Sequence, residues 1–158
     1  MIFVTTGTQK FQFDRLIKAI DELVKKGYIN EEVICQSGSS NYIPQNFKSY
    51  SFVSNEKYDE YIKKSDLLIT HAGVGTILEG KKYNKKVLVV PRMKKFGEHV
   101  DEHQMQIAEG FYHKKLVYLC EDIQKLYLDI NKTKNSTFCK YISNNKNFII
   151  HLKDIIEN

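Results

Sequence analysis

The residues with the clearest chemical potential lie in one glycine-containing segment near the middle of the chain. Residues 69–79 read Ile-Thr-His-Ala-Gly-Val-Gly-Thr-Ile-Leu-Glu: an apolar strand ends, two glycines turn the chain, and a helix begins near Thr76. Glycines let backbone N–H groups approach a ligand closely, and a helix N-terminus carries partial positive charge. A diphosphate fits both properties. Glu79 lies one helical turn beyond Gly75, within reach of a ribose diol.

This segment does not match two common phosphate-binding loops. The pattern G-x-x-x-x-G-K-[ST] of P-loop NTPases is absent from the chain. The third glycine of the dinucleotide fingerprint G-x-G-x-x-G is replaced by Leu78, and the next strand ends at Val90 and Pro91 without an acidic residue. A dinucleotide is therefore disfavoured. The simplest alternative, in which the glycines only turn a strand into a helix, stays open.

A second polar segment, Pro91–Gln104, follows the next predicted strand. Its carboxylate, imidazole and amide side chains, at the carboxyl edge of a sheet, suit the many hydroxyls of a sugar. His99, Glu102 and His103 also match the pattern H-x-x-E-H of inverted zinc proteases, which needs both histidines on one helical face. Asp101 is typical of a helix N-cap, which would leave His99 outside the helix and break that geometry. A solvated helix start without a role is the remaining alternative.

These segments belong to a chain that alternates short apolar strands with amphipathic helices. Such alternation predicts an α/β domain with a parallel sheet covered by helices on both faces, in which ligands bind at the carboxyl ends of the strands. The predicted strands are Ile2–Thr5, Glu32–Gln36, Tyr50–Val53, Leu67–Thr70, Val87–Val90 and Leu116–Leu119. The predicted helices are Phe13–Lys26, Glu56–Lys64, Thr76–Tyr83, Asp101–Glu109, Glu121–Ile130 and Phe148–Ile156, with an irregular segment over Asn131–Asn147.

Composition places the chain among globular proteins of one domain. The 158 residues have 42% hydrophobic content and no internal repeat, which predicts a single domain over 1–158 with a tail over about 131–158. No apolar run approaches the ~20 residues that cross a bilayer, and no secretory signal is predicted at the start. The formal charge of +5 comes from lysine, with Arg15 and Arg92 as the arginines, which argues against nucleic acid as a partner. Three cysteines without a C-x-x-C spacing are typical of reduced thiols in the cytosol.

Several motifs, in the same order, resemble the glycosyltransferase family 28 C-terminal domain. They are Gly7–Thr8, His71–Glu79, Val89–Arg92 and Glu98–Gln104. More narrowly, the chain is similar to the small donor chains of split enzymes, such as the GlcNAc transferase of the dolichol pathway and bacterial β-1,4-galactosyltransferases of capsule and exopolysaccharide synthesis. One departure is the segment Gly80–Lys86, which is unusually basic where relatives often carry a small apolar helix.

The resemblance implies the C-terminal half of a GT-B glycosyltransferase, a Rossmann-like domain that binds a UDP-sugar. It places the diphosphate on Gly73–Thr76, the ribose on Glu79, the uracil edge on the backbone of Phe52 and Val53, and the sugar on the segment around His103. The donor-binding residues that it implies are Gly7, Thr8, Gln9, Phe52, Val53, His71, Gly73, Val74, Gly75, Thr76, Glu79, Asp101, His103 and Gln104.

The function that the resemblance implies is inverting transfer of a hexose (galactose, glucose or GlcNAc) from a UDP-sugar to a lipid-linked saccharide, in capsule or exopolysaccharide synthesis. The UDP-sugar is a substrate, and neither a metal nor another cofactor is expected. Half a cleft cannot orient two substrates, so a membrane-attached, acceptor-binding partner chain is expected. That partner would hold this cytoplasmic chain at the inner face of the membrane. The general base is expected on the partner, with His71 and His99 as candidates within this chain.

The predicted last helix is a candidate for docking on that partner, and packing on the chain's own core is the alternative. Its apolar residues are Phe148, Ile149, Leu152, Ile155 and Ile156. Two other functions stay open at this point. One is a non-catalytic module that binds a UDP-sugar and regulates an enzyme, and the other is the zinc peptidase considered above.

Overall fold

The computed structural model describes residues 1–141 and residue 150, so the predicted docking helix with Phe148, Ile149, Leu152, Ile155 and Ile156 lies outside the described residues. In the described part, the strands are β1 Ile2–Thr5, β2 Val33–Gln36, β3 Lys48–Tyr50, β4 Leu67–Thr70, β5 Lys86–Val89 and β6 Tyr118–Leu119. The helices are α1 Asp14–Lys25, α2 Asn55–Lys64, α3 Val74–Lys82, α4 His103–His113 and α5 Leu126–Asn135. Short 3₁₀ turns span Lys94–Phe96 and Ile123–Lys125.

The strands form one sheet in the order β3-β2-β1-β4-β5-β6, and every neighbouring pair is parallel. The chain order reverses between β1 and β4, which lie side by side with Thr5 opposite Thr70 at their carboxyl ends. In open parallel sheets, ligands bind in the crevice outside the carboxyl ends at this reversal. The predicted α/β fold is therefore confirmed, and its topology directs attention to the loops after Thr5 and Thr70.

Alternate residues of the central strands supply two hydrophobic cores, one on each face of the sheet. Val4 belongs to the core that also contains Leu16 of α1 and Leu126 of α5. Phe3 belongs to the other core, with Ile77 of α3 and residues of α2 and α4. Because both faces are covered, β1 and β4 are buried along their whole length and show no alternation with polar residues.

The third strand differs from its prediction. It spans Lys48–Tyr50 rather than Tyr50–Val53, and its residues are exposed or only partly buried at the edge of the sheet. Beyond Tyr50, the amide of Val53 donates to the side chain of Gln36 at 3.0 Å instead of to a strand carbonyl. The apolar pair that suggested the strand, Phe52 and Val53, therefore lies in the loop that follows it.

Helices α3 and α4 each begin two residues away from their predicted starts. Helix α3 begins at Val74 with Gly73 as its N-cap, so Thr76 lies inside the first turn. Helix α4 begins at His103 rather than at Asp101, although the carboxylate of Asp101 does accept the His103 amide at 2.9 Å. Asp101 thus stabilises the start of α4 from a position just outside it.

Residues 131–135 were predicted to be irregular but belong to α5, which spans Leu126–Asn135 rather than Glu121–Ile130. The carboxylate of Asp122 accepts the Gln124 amide and caps a 3₁₀ turn, after which the α-helix starts. Thr133 is buried in α5, so residues 131–135 are part of the packed domain. None of the helices within residues 1–141 is both long and apolar enough to cross a bilayer.

A buried ion network joins the loops that follow β1 and β5. The carboxylate of Glu98 is buried and accepts two hydrogen bonds from Arg15, at 2.9 and 3.0 Å. Burial lowers the pKa of Arg92 to about 10, while the charge of Glu98 opposes that shift, so the guanidinium stays protonated at neutral pH. This buried guanidinium donates to the backbone carbonyls of Thr6, Phe11, Gln12 and Glu98.

The substitution Glu98→Gln is expected to lower the free energy of unfolding by about 3–5 kcal/mol, because removing one partner of a buried pair leaves an uncompensated charge. Urea unfolding measures the change. The control Glu22→Gln breaks the exposed pair with Lys26, whose charged atoms are 4.0 Å apart, and should cost less than about 1 kcal/mol. Equal costs for the two variants would contradict a stabilising role for the buried network.

Candidate functional site

The N-terminus of α3 opens at the carboxyl edge of the sheet, directly after β4. No side chain caps this helix among the described residues, and its first backbone bond joins the Ile77 amide to the Gly73 carbonyl. The amides of residues 74–76 therefore have no partner within residues 1–141. Helix α2, by contrast, is capped by the Ser54 side chain, which accepts a backbone amide. An anion suits the uncapped end of α3.

The glycines around this helix start have different reasons to be glycine. A Cβ atom on Gly7 or Gly73 would lie 2.3 or 2.4 Å from the ring of His71, so packing excludes a side chain at both positions. A Cβ atom on Gly75 would meet no atom within 4 Å. Glycine is costly inside a helix, by roughly 1 kcal/mol relative to alanine. Nothing in the described chain requires glycine at position 75, and the space beside it is open to a ligand.

His71 fills the space beside Gly7 and Gly73. Burial, first, and the neighbouring charges of Arg92 and His99 lower its pKa to about 3, so the imidazole is neutral at physiological pH. A group with so low a pKa is a poor general base near pH 7. The lowered pKa therefore favours a hydrogen-bonding role for His71 over the role of general base.

The loops after β1, β3 and β4 enclose a cavity of about 370 Å³, within the size range of small-molecule sites. We call it the donor cavity. It is lined by Gly7, Thr8, Gln9, Gln36, Phe52, Val53, Asn55, Tyr58, His71, Gly73, Gly75, Thr76 and Glu79. A smaller cavity of about 140 Å³ adjoins it and is lined by Gln9, Ala72, Gly73, Val74, His99, His103, Gln104 and Ile107. Because Gln9 and Gly73 line both cavities, one extended ligand could occupy the two together.

The predicted donor-binding residues are brought together by these two cavities with one exception. All of them line the donor cavity apart from Val74, Asp101, His103 and Gln104. Of these four, Asp101 lines neither cavity. Its carboxylate lies 3.1 and 3.5 Å from ring nitrogens of His99 and His103. Asp101 therefore contacts two residues that line the smaller cavity.

Three residues of the donor cavity were not predicted: Gln36, Asn55 and Tyr58. The hydroxyl of Tyr58 donates to the Thr76 hydroxyl at 3.4 Å, and its ring packs edge-on against Phe3. Gln36 ends β2, the neighbour of β1, and its position at the carboxyl end of a strand was the available signal. Asn55 and Tyr58 lie at the start of α2, and nothing in the local sequence indicates that this helix faces the loop after β4.

Glu79 stands at the mouth of the donor cavity, one turn into α3. Burial, first, and the negative charge of Asp59 raise its pKa, while Lys82 opposes the shift. Its carboxylate has no hydrogen bond or ion pair within residues 1–141, so both oxygens are free to accept hydrogen bonds from a ligand.

The H-x-x-E-H pattern does not form the geometry of a zinc site. His103 is the first residue of α4 and His99 lies outside that helix, so the two imidazoles are not one turn apart on a helical face. Among the described residues, no group of three or more histidine, cysteine, aspartate and glutamate side chains could hold a metal ion. The nearby carboxylate of Asp101 is instead bonded to the α4 start.

The fold is that of one half of a GT-B glycosyltransferase. The kitacinnamycin glycotransferase matches it with a TM-score of 0.64 at 13% identity, over 98% of this chain and 38% of that chain. MurG of Acinetobacter baumannii matches with a TM-score of 0.53 at 15% identity, over 99% of this chain and 49% of that chain. The sheet with its cavities at the carboxyl edge corresponds to a Rossmann-like half of that architecture.

The chain belongs to the glycosyltransferase family 28 C-terminal domain family, whose model matches residues 1–158. It is 32% identical to the human UDP-N-acetylglucosamine transferase subunit ALG13 over 130 residues, which are 75% of this chain and 11% of the human protein. The ALG13 subunit of Saccharomyces cerevisiae is 33% identical over 89 residues, 54% of this chain and 42% of the yeast protein. An NMR structure of ALG13 matches with a TM-score of 0.60 at 21% identity, over 99% of this chain and 96% of that chain. The match covers only a minor part of the human and yeast relatives. The family model confirms the predicted family.

Proposed function

We infer that this chain is the donor-binding subunit of a UDP-sugar-dependent glycosyltransferase. The observation that carries the proposal is the uncapped start of α3, where Gly75 faces open space and the amides of residues 74–76 have no partner in the part of the chain that the structure describes. A diphosphate seated there accepts several backbone hydrogen bonds and sits in the positive field of the helix dipole. Membership of glycosyltransferase family 28 supports a nucleotide sugar as the source of that diphosphate.

The residues that line the donor cavity indicate where the ribose and the uracil bind. The ribose diol faces the free carboxylate of Glu79. The uracil lies against Phe52, a residue that is 55% exposed, that lines the cavity, and whose backbone amide and carbonyl have no partner within residues 1–141. The amide of Val53 already donates to Gln36, so Phe52 supplies the free backbone groups on that side. The hexose then extends past Gly73 into the smaller cavity, beside His103.

The sugar that we propose to test first is GlcNAc, because the relatives that match this chain are named UDP-N-acetylglucosamine transferase subunits. Galactose and glucose are the other hexoses of the proposal. The acceptor is a lipid-linked saccharide. The names of the relatives do not support a capsule or exopolysaccharide setting, and the proposal does not depend on that setting.

A partner chain completes the proposal. One half of a GT-B architecture binds a donor but does not orient an acceptor, and the relatives are themselves named subunits. The partner binds the acceptor, attaches to the membrane, and holds this chain at the cytoplasmic face. A general base on the partner takes the proton of the acceptor hydroxyl, whose oxygen attacks the anomeric carbon while the bond to the β-phosphate breaks. The amides of α3 stabilise the negative charge that develops on the leaving UDP.

Reconstitution tests the proposal in two stages. Thermal unfolding of this chain with UDP, UDP-GlcNAc, UDP-Gal and UDP-Glc should show stabilisation by UDP and an order among the sugars, since a ligand at 100 times its Kd stabilises by about 2.7 kcal/mol. The chain together with its partner should then transfer the preferred sugar to a lipid-linked acceptor. Binding without transfer would favour a regulatory UDP-sugar-binding module, and absence of binding would overturn both functions.

A further inference from the structure

The hydrogen bonds of Gln104 determine which end of its side-chain amide is the oxygen and which is the nitrogen. The oxygen Oε1 accepts the backbone amide of Arg92 at 2.9 Å and the backbone amide of Ala72 at 3.3 Å. Both donors are backbone N–H groups, which can only donate, so the atom that faces them must be the oxygen. The nitrogen Nε2 therefore occupies the other position, 3.2 Å from Nδ1 of His71.

This orientation determines which nitrogen of His71 carries the proton. An amide nitrogen donates and does not accept, so Nδ1 of the neutral ring must be the acceptor in the 3.2 Å bond. The hydrogen of the imidazole is then on Nε2. That atom lies beside Gly7 and Gly73, whose hypothetical Cβ atoms would be 2.3 and 2.6 Å from it, and it has no hydrogen-bond partner within residues 1–141.

We propose that Gln104 is a positioning residue that holds His71 as the Nε2–H tautomer, so that a neutral N–H donor points into the donor cavity toward the diphosphate. The proposal rests on the proposed function for the identity of the ligand. It gives Gln104 a role beside the sugar contact that the family resemblance implies, because Oε1 and one N–H of its amide are already bonded inside the protein.

The charged groups around His71 explain why a second residue is needed to place this proton. Burial, first, and the charges of the Arg92 guanidinium and the His99 imidazole lower the pKa of His71 and so disfavour its protonation. A doubly protonated ring, which would donate from both nitrogens, is therefore not available near pH 7. A neutral ring has one proton, and without the Gln104 amide either nitrogen could carry it.

Nitrogen-15 NMR on the ring of His71 tests the tautomer without any ligand. Long-range ¹H–¹⁵N spectra, with the signal assigned by its loss in His71→Gln, should show Nε2 protonated and Nδ1 unprotonated at every pH from 6 to 8. Protonated Nδ1 with bare Nε2 would overturn the proposal.

The substitution Gln104→Glu tests the link to the donor. Its carboxylate accepts the two backbone amides and also attracts a proton to Nδ1, so at pH 8 the ring should carry its hydrogen on Nδ1 and present a lone pair to the diphosphate. We expect about tenfold weaker binding of UDP-GlcNAc at pH 8, with recovery toward pH 6 as the ring becomes doubly protonated. UDP-GlcNAc is the suitable probe because its diphosphate does not titrate in this range. Wild-type protein should show no such pH dependence.

The matched control is Gln106→Glu, which adds the same charge to an exposed position of α4. It should bind like wild type at each pH, whereas Gln104→Met should weaken binding equally at all pH values because it removes the amide without adding a charge. A Gln104→Glu profile parallel to that of Gln104→Met would overturn the positioning role. If wild type shows the Nε2–H tautomer but does not bind UDP-GlcNAc, the proposed function fails and, with it, the assignment of the donor to a diphosphate.

Discussion

Replacement of Gly75 by valine is expected to reduce UDP affinity by about 100-fold or more while leaving the fold intact. The valine side chain would project into the donor cavity at the helix start, where it displaces the diphosphate from the free amides. Hydrogen bonds to charged groups contribute about 1.5–3 kcal/mol each, so losing two of them accounts for the effect. Because a Cβ at this position meets no atom within 4 Å, the side chain itself creates no clash. Calorimetric titration with UDP measures the affinity, and a melting curve measures the stability of the fold.

Gly73→Ala is the informative comparison. Its Cβ would lie 2.4 Å from the His71 ring, so this variant should lose stability as well as affinity. Gly75→Val should keep the melting temperature of wild type, since the position is exposed in the first turn of α3. Binding by Gly75→Val within about twofold of wild type would mean that no ligand rests against the α3 start, and the proposed function would fail with it.

The central strands could be predicted from sequence because their surroundings are uniform. Strands β1 and β4 are apolar at every position except their last, since both faces of a parallel sheet are buried, and their bounds agree with the predicted ones. Strand β3 has the sequence Lys-Ser-Tyr and lies at the edge of the sheet. Its backbone hydrogen bonds to β2, and not its side chains, make it a strand. The apolar pair Phe52 and Val53 was mistaken for the strand because these residues face a cavity that only the tertiary structure forms.

The candidate site likewise has one part that could be predicted from sequence and one part that depends on the fold. The segment around Gly73–Glu79 is local, since one strand end, one turn and one helix start create it, and its residue types could be interpreted without a fold. The contributions of Gln36 and Tyr58 depend on which strands and helices become neighbours, and the sequence contains no signal for that. The bonds of Gln104 show this most clearly. Its side-chain oxygen accepts from the backbone amides of Ala72 and Arg92, which lie 32 and 12 residues away in the chain.

Helix starts were the least predictable local feature. Thr76 has a side chain typical of an N-cap, but Gly73 occupies that position and no side chain caps α3 among the described residues. A cap supplied by the chain would compete with a bound anion for the same amides. The absence of a capping bond, which makes the start of α3 hard to locate from sequence, is thus the property that suits it to a phosphate ligand.

Glu79→Gln is expected to weaken UDP binding by about 10-fold, and the loss should depend on the ribose diol. A carboxylate accepts hydrogen bonds from both hydroxyls, and such charge-assisted bonds are roughly twice as strong as neutral ones. Wild type should therefore prefer UDP to 2′-deoxy-UDP, and Glu79→Gln should lose most of that preference. Calorimetric titration of both ligands at pH 8 completes the double-mutant cycle, with Glu109→Gln on the exposed face of α4 as the control.

The pH dependence of this contact has a definite sign. Burial and Asp59 raise the pKa of Glu79, so the carboxylate becomes protonated at a higher pH than an ordinary glutamate and then loses an acceptor. UDP-sugar affinity of wild type should fall as the pH is lowered through that raised pKa, and Glu79→Gln should lack this acid limb. An undiminished preference for UDP over 2′-deoxy-UDP in Glu79→Gln would place the ribose elsewhere. The helix start would then still hold the diphosphate, because the amides of residues 74–76 act independently of the Glu79 side chain.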